Sequence, residues 1–341
     1  MRLAVFSDLH LGIKQNDEGW QLIALQWCDW FVNELRKNNI NDIVFLGDFF
    51  HSRTTISVDT LYTTALVLDK LNDFNIHMIY GNHDLYYLNN NIVSAVSLFK
   101  YYPNVHVYDK PKIVEFGDKK CCMCGWGYDP LKFNADILFT HAEINAFKLG
   151  ERQSECDNGI LCSDLLKNYS LVYSGHFHLR QTKSYAAGKI KYVGNPFQMD
   201  YSDEGTCKGF DIYDTDTGEI KFIENTISPT FLRMQLSEMT DFIDINELKS
   251  KLKNSFFKLL VDLNIKLEDL KELMVLINSA EPKTSVFEWE NGQNFSQDVT
   301  EYKIEAINLE DCIKQFINLL DIPNKEDIFE YIISLYKKVE A

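Results

Sequence analysis

The chain has 341 residues, 45% of them hydrophobic, with a formal net charge of −16 and a pI near 4.9. That length leads us to expect about two domains, with apolar mass for a sizeable core. The acidity excludes the broad basic surface of a protein held on nucleic acid by electrostatics alone, although bound cations can reverse the local field.

Eight cysteines in so long a chain read as free thiols of a reducing compartment, not as a stapled scaffold. The cluster CCMC at 121–124 lacks the second Cys/His pair of a structural zinc site. The N-terminus reaches Asp8 and His10 before any long apolar run, and no stretch approaches the roughly 18 apolar residues of a membrane span. The expectation is a cytoplasmic protein.

In chain order, RLAVFSD (2–8) reads as a strand ending in a carboxylate, and WQLIALQWCDWFVNEL (20–35) carries apolar residues on a helical period. NDIVFLGD (41–48) is a second strand, ending in Gly and carboxylate. Ser57 is the predicted N-cap of a helix through TLYTTALVLDKL, after which the strand IHMIY (76–80) runs straight into GNHD. This alternation predicts βαβ units and a partly parallel sheet. ADILFTH (135–141) and LVYSGHFH (171–178) read as further strands, and FDIYDTDTGEIKFIEN (210–225) as a hairpin closing a first domain at residue 228.

Past Pro229, FLRMQL, an amphipathic stretch near 244–254, FFKLLVDL and a helix near 266–274 predict a small α/β cap over 229–280. Residues 281–303 are polar and lack periodicity, which reads as a linker with Phe287 and Trp289 as docking points. The period then returns. Leu309, Ile313, Phe316, Ile317 and Leu320 share one helical face, and beyond DIPN so do Ile328, Ile332, Leu335 and Tyr336. A helix–loop–helix over 304–341 either packs back on the cap or docks into a partner.

Strand ends hold the chemistry, because α/β folds gather ligands there. SDLH supplies Asp8 and His10, LGDFFH supplies Asp48 and His51, and YGNHD supplies Asn82, His83 and Asp84. ADILFTH ends in His141, and LVYSGHFH in His176 and His178. The two remaining histidines, His77 and His106, alternate with apolar neighbours and read as structural. A lone DLH or GD is more often a turn than a ligand; five such ends in one chain point to a metal site. Carboxylate, imidazole and carboxamide without thiolate suit Mn²⁺, with Mg²⁺, Fe or Zn²⁺ as alternatives. Two such ions about 3.5–4 Å apart serve phosphoester hydrolysis.

The set DLH, GDFFH, GNHD, TH and GHFH resembles the calcineurin-like metallophosphoesterases, and most of all the SbcD-type double-strand-break repair nucleases, including their T-even bacteriophage branch. THAEINAFKLG (140–150) and the C-terminal helices extend the likeness nearly end to end. The resemblance implies an α/β sandwich of two mixed β-sheets packed face to face with helices outside, plus the small cap and helix pair. It implies one ion on Asp8, His10, Asp48 and His178, and a second on Asp48, Asn82, His141 and His176, with Asp48 bridging. His83 would act in catalysis, oriented by Asp84, and His51 would touch the DNA phosphate. Arg180, Lys183, Lys189 and Lys191 read either as a solvated hairpin or as backbone contacts to DNA. The implied activity is a two-metal DNA exo- and endonuclease acting on double-stranded ends and single strands. The implied partners are an SbcC-type SMC-like ATPase, bound through 304–341, and a second copy of the chain, paired through the helices at 20–36 and 57–73. A related phosphoesterase acting on nucleotides or cyclic nucleotides is the alternative.

Overall fold

Period-two alternation divides the first strand, β1 (Arg2–Phe6), between two cores: Leu3 and Val5 enter one, Ala4 and Phe6 the other. A strand buried on both faces must lie between layers, and the computed structural model places it so. It describes residues 1–87, 90–151, 153–240, 244–261, 267–289 and 325–339. Next come β2 (Asp42–Phe45), β3 (Asn75–Ile79), the hairpin β4 (Leu85–Tyr87) and β5 (Asn90–Ser94), and β6 (Val105–Tyr108). They are followed by β7 (Lys112–Phe116), β8 (Lys119–Cys124), β9 (Ile137–His141), β10 (Leu171–Gly175), β11 (Gln181–Tyr185) and β12 (Gly188–Tyr192). The antiparallel pair β13 (Gly209–Asp214) and β14 (Ile220–Glu224) returns to the first sheet.

One sheet has the order β14-β13-β1-β2-β3-β6, the other β11-β12-β10-β9-β8-β7. Each has four parallel strands at its heart and antiparallel strands at an edge. Leu3, Val5, Val44, Leu46 and Ile79 of the first meet Met123, Ile137, Phe139 and Tyr173 of the second. The outer face of the first is covered by two helices, Glu18–Lys37 and Val58–Lys70, through Trp27, Phe31 and Leu68. Asp17 and Ser57 cap them by accepting from the amides of Trp20 and Thr60. The helix Cys162–Asn168 covers the second sheet with Leu165. The fold is the expected α/β sandwich with helices outside.

CCMC lies on β8, where Cys121 joins the inner core while Cys122 and Cys124 join the outer one, all three as buried free thiols. His77 stacks on His106 at 4.9 Å and pairs through Nδ1 with the Tyr108 hydroxyl at 2.8 Å.

β15 (Thr230–Gln235), β16 (Ser255–Val261) and β17 (Thr284–Trp289) form a separate parallel sheet. It packs with the helices Ile245–Leu252 and Leu267–Asn278 around Leu252, Phe257, Leu259 and Ile277. Here the structure corrects the expected linker at 281–303. Thr284–Trp289 is a strand paired along its whole length with β16, and Phe287 packs on the cap's core. Pairing partners distant in the chain leave no local period, so a short half-polar strand reads as loop. Residues 290–303 lie outside the described residues. The cap is tied to the sandwich by Trp20 stacked on Phe256 at 5.1 Å and by the Arg233–Glu204 ion pair at 2.8 Å.

Taken by itself, the C-terminal segment contains the helix Lys325–Val339, with Ile328 and Ile332 half-buried. The face carrying Leu309 to Leu320 lies outside the described residues, as do the side chains of Leu335 and Tyr336. Among the described residues no helix is long and apolar enough to cross a membrane.

Candidate metal centre

The loops leaving β1, β2, β3 and β10 close on one cleft of about 370 Å³, lined by His10, Lys14, Asp48, His51, Asn82, His83, His176, His178, Met199 and Asp200. Their backbones are held where side chains seldom go. Asp8, His10, Asp48 and His176 have φ of 56°, 49°, 60° and 92°, each position costing on the order of 1 kcal/mol or more. The loops offset this by bonding one another: Asp8 N–H to the Gly47 carbonyl at 3.0 Å, His10 N–H to Asp48 at 3.1 Å, Leu11 N–H to Phe49 at 2.8 Å. The glycines of GN and GH are needed for close approach. A Cβ on Gly81 would stand 2.1 Å from Asp48 Oδ1, and one on Gly175 2.1 Å from Ser7 Oγ.

Two groups of donors converge. Asp8, His10 and His178 offer ligand atoms within 4.8 Å of one another, and so do Asp48, His141 and His176. His10 Nε2 is 3.1 Å from His178 Nε2 and 3.7 Å from Asp48 Oδ2. His141 Nε2 is 3.4 Å from the same Asp48 oxygen and 3.0 Å from Asn82 Oδ1, which also lies 2.9 Å from His176 Nδ1. Asp48 Oδ2 therefore stands between the groups. His141 Nδ1 donates to the Leu46 carbonyl at 2.7 Å, leaving Nε2 for the cleft.

Electrostatics follow this crowding. Burial opposes charge on Asp48, yet His141 and His10 hold its carboxyl far below the usual range. Burial likewise works against a charged His141, but Asp48 pushes it up to about 9. Burial pulls His10 well below its ordinary value and His176 down to about 3, with His141 repelling the latter's charge. Asp8 is raised by burial against the pull of His141 and His178. So many buried lone pairs aimed at one space fit a divalent cation: His10 Nε2 lies among His178, Asp8 and Asp48 at 3.1, 3.9 and 3.7 Å.

The sequence profile of the calcineurin-like phosphoesterases matches residues 1–180, a span that takes in every one of these donors. The chain belongs to the calcineurin-like phosphoesterase family. It is also similar to exonuclease subunit 1 of Enterobacteria phage T4, with 29% identity over 363 residues covering 100% of this chain and 99% of that one. Among solved structures, an archaeal phosphodiesterase is 15% identical with a TM-score of 0.38, over 66% of this chain and 100% of its own. A hypothetical protein from Pyrococcus horikoshii OT3 is 12% identical with a TM-score of 0.38, over 65% of this chain and 87% of its own. As a calcineurin-like phosphoesterase, the chain is a hydrolase of phosphoesters that uses divalent metal ions.

Not every predicted role survives the geometry. Asp84 does not orient His83. Its Oδ2 accepts from the amides of Gly81 at 2.9 Å and Asp48 at 2.8 Å, its Oδ1 from Phe49 at 2.8 Å and Phe50 at 3.4 Å. It staples the GNHD loop to the GDFF loop. The His83 ring is instead held by its Nδ1 donating to the His51 carbonyl at 2.6 Å, and the His83 amide donates to Asp48 Oδ1 at 2.8 Å. Asp84→Ala would leave several buried amides unpaired, so a loss of about 3 kcal/mol of folding stability is expected. A denaturant midpoint unchanged from wild type would contradict the staple.

Three of the four cations after GHFH have ion-pair partners. Arg180 and Lys191 are paired with the buried Asp211 at 2.6 and 2.7 Å, and Lys183 pairs with Glu155 at 3.3 Å. Through Asp211, Arg180 and Lys191 join the two sheets, while Lys189 of the same hairpin is exposed. His51 lines the cleft, 5.5 Å ring to ring from His10, with its pKa lowered by burial and His83. The reading of the sequence missed Trp126, whose ring lies 4.8 Å from that of His176 at a tilt of 44°, and Glu143, whose Oε1 lies 3.5 Å from His176 Nε2. Both follow the carboxyl ends of strands β8 and β9, the rule that found the histidines.

Proposed function

We propose that this phosphoesterase is a DNA exo- and endonuclease, the nuclease subunit of a complex with an SMC-like ATPase. The observation that carries the reading is the likeness to a phage exonuclease subunit across the full length of both chains, not only across the phosphoesterase domain. We assign one ion to Asp8, His10, Asp48 and His178, and a second to Asp48, Asn82, His141 and His176, Mn²⁺ before Mg²⁺, Fe or Zn²⁺. Ions held there would activate water and neutralise charge on a phosphoryl group. His83 would supply or accept a proton at Nε2, since its Nδ1 is committed to a carbonyl that can only accept. In the same reading two copies pair through the helices Glu18–Lys37 and Val58–Lys70, supported by exposed Leu22, Leu61 and Tyr62 beside the groove between them. The test is Mn²⁺-dependent cleavage of labelled duplex and single-stranded DNA, run beside p-nitrophenyl phosphate and cyclic nucleotides. Intact DNA with rapid cyclic-nucleotide hydrolysis would favour the other substrate class.

Metal affinity should depend on pH. With its pKa at about 9 the His141 ring is protonated at neutral pH, and an imidazolium has no lone pair for an ion. Binding then expels a proton, and affinity falls as pH drops below about 9. Calorimetry in two buffers of different ionisation enthalpy checks this; equal heats in both would refute it.

Residues 304–341 would carry the ATPase. Their deletion should leave metal binding and cleavage of short DNA ends intact, because every assigned ligand lies at or before His178. Association with a co-expressed ATPase should be lost, and Asp at Leu309, Phe316 and Leu335 should imitate the deletion. Co-purification of the deletion variant with the ATPase would reassign the docking surface.

A further inference from the structure

Behind the cleft lies a buried charged cluster that none of the roles above uses. Lys208 is 4% exposed, Asp203 4% and Asn195 0%. The Lys208 ammonium donates to Asp203 Oδ1 at 2.5 Å, to Asn195 Oδ1, and to the backbone carbonyl of His178 at 2.8 Å. Asn195 Nδ2 donates to Asp203 Oδ2 at 3.0 Å, which also accepts the Met199 amide at 2.9 Å. Gly194, with φ of 71°, packs so closely that a Cβ there would stand 2.7 Å from the same His178 carbonyl. Burying an ammonium and a carboxylate costs more than it returns unless both are fully bonded, and here both are. The His178 ring reaches the cleft, its Nε2 3.1 Å from His10 Nε2, and Met199 and Asp200 line the same cleft.

We propose that Lys208, clamped by Asp203 and Asn195, is a positioning residue that fixes the backbone of His178 and so aims its imidazole at the ion shared with Asp8 and His10. The inference rests on the ligand assignment proposed above. A carbonyl bonded to a buried ammonium and packed closely against Gly194 has little freedom to rotate. Without the grip, the two-residue span Phe177–His178 can swing its ring away from His10. The same cluster holds the Met199 amide, so the wall of the cleft and the ligand move together or not at all.

Lys208→Met alone would strand a buried carboxylate and unfold the loop for reasons unrelated to metal. The informative variant is Lys208→Met/Asp203→Asn, which removes both charges while keeping an acceptor for the Met199 amide. It is compared with His178→Ala and Asn82→Ala by Mn²⁺ calorimetry and by thermal unfolding in chelator. The expected result is an unfolding temperature in chelator near wild type, with one ion weakened roughly 10–100-fold. That ion should be the one lost in His178→Ala, and the ion weakened in Asn82→Ala should be untouched. Two ions at wild-type affinity in the folded double variant overturn the proposal. Should the double variant not fold, Asn195→Ser, which keeps both charges but shortens the side chain and removes the amide that accepts from Lys208 and donates to Asp203, must weaken the same ion by a smaller factor; no change there overturns it equally. Wild-type protein that binds two ions but leaves DNA uncut defeats the nuclease reading and leaves this one standing.

Discussion

Asp48→Ala is expected to remove both metal ions and to lower hydrolysis by on the order of 10⁴-fold. Its Oδ2 lies 3.7 Å from His10 Nε2 and 3.4 Å from His141 Nε2, so this carboxylate oxygen is close to donors of both groups. Each ion supplies several kcal/mol to a phosphoryl transition state, and about 1.4 kcal/mol is a factor of ten. The side chain has a further duty, since Oδ1 accepts the His83 amide at 2.8 Å and so fixes the GNHD loop. Asn82→Ala, by contrast, removes an oxygen near His141 and His176 only, and should weaken one ion. Metal titration, or anomalous scattering from Mn²⁺-loaded crystals, distinguishes the two. Two ions retained in Asp48→Ala would sink the bridging assignment.

His83→Ala should keep both ions and DNA affinity while turnover drops by roughly 10²–10⁴-fold. The ring lies at the cleft, 4.9 Å from His10 and nearly perpendicular to it, with Nδ1 tied to the His51 carbonyl. Nε2 is then the atom left to exchange protons. A third group of donors lies in the same cleft, because His10, His51 and His83 also offer ligand atoms within 4.8 Å of one another. Metal content decides between ligation and proton transfer. A variant that loses an ion would make His83 a ligand, whereas two ions with slow turnover place it in proton transfer. His51→Ala separates the pair further, since the His51 carbonyl that holds His83 belongs to the backbone and survives the substitution.

Several of these conclusions were legible in the residues alone. Asp8, Asp48, Asn82, His141 and His176 each end an apolar run, and a strand end needs no tertiary information to be recognised. Ser57 was readable as a cap because capping is local: it accepts from the Thr60 amide three residues on. The strand Thr284–Trp289 was not legible, because its stability comes from pairing with β16 and not from its own pattern. Nor was the fate of Arg180 and Lys191. Their partner, Asp211, is distant in the chain and looks in sequence like any alternating strand residue.

What the sequence by itself determined is the kind of chemistry: hard and borderline donors without thiolate, placed in order at the ends of strands. Those choices depend on residue type and short-range period, both of which are local. Only the tertiary structure decided which donors meet, which atom of each faces the cleft, and which polar groups are scaffolding. Asp84 shows the difference. Beside His83 in the chain it looked like that histidine's partner, yet folding turns its carboxylate onto the amides of Asp48 and Phe49 in another loop. Proximity in sequence constrains the backbone, whereas hydrogen-bond partners are chosen by what the packed sheets bring within 3 Å.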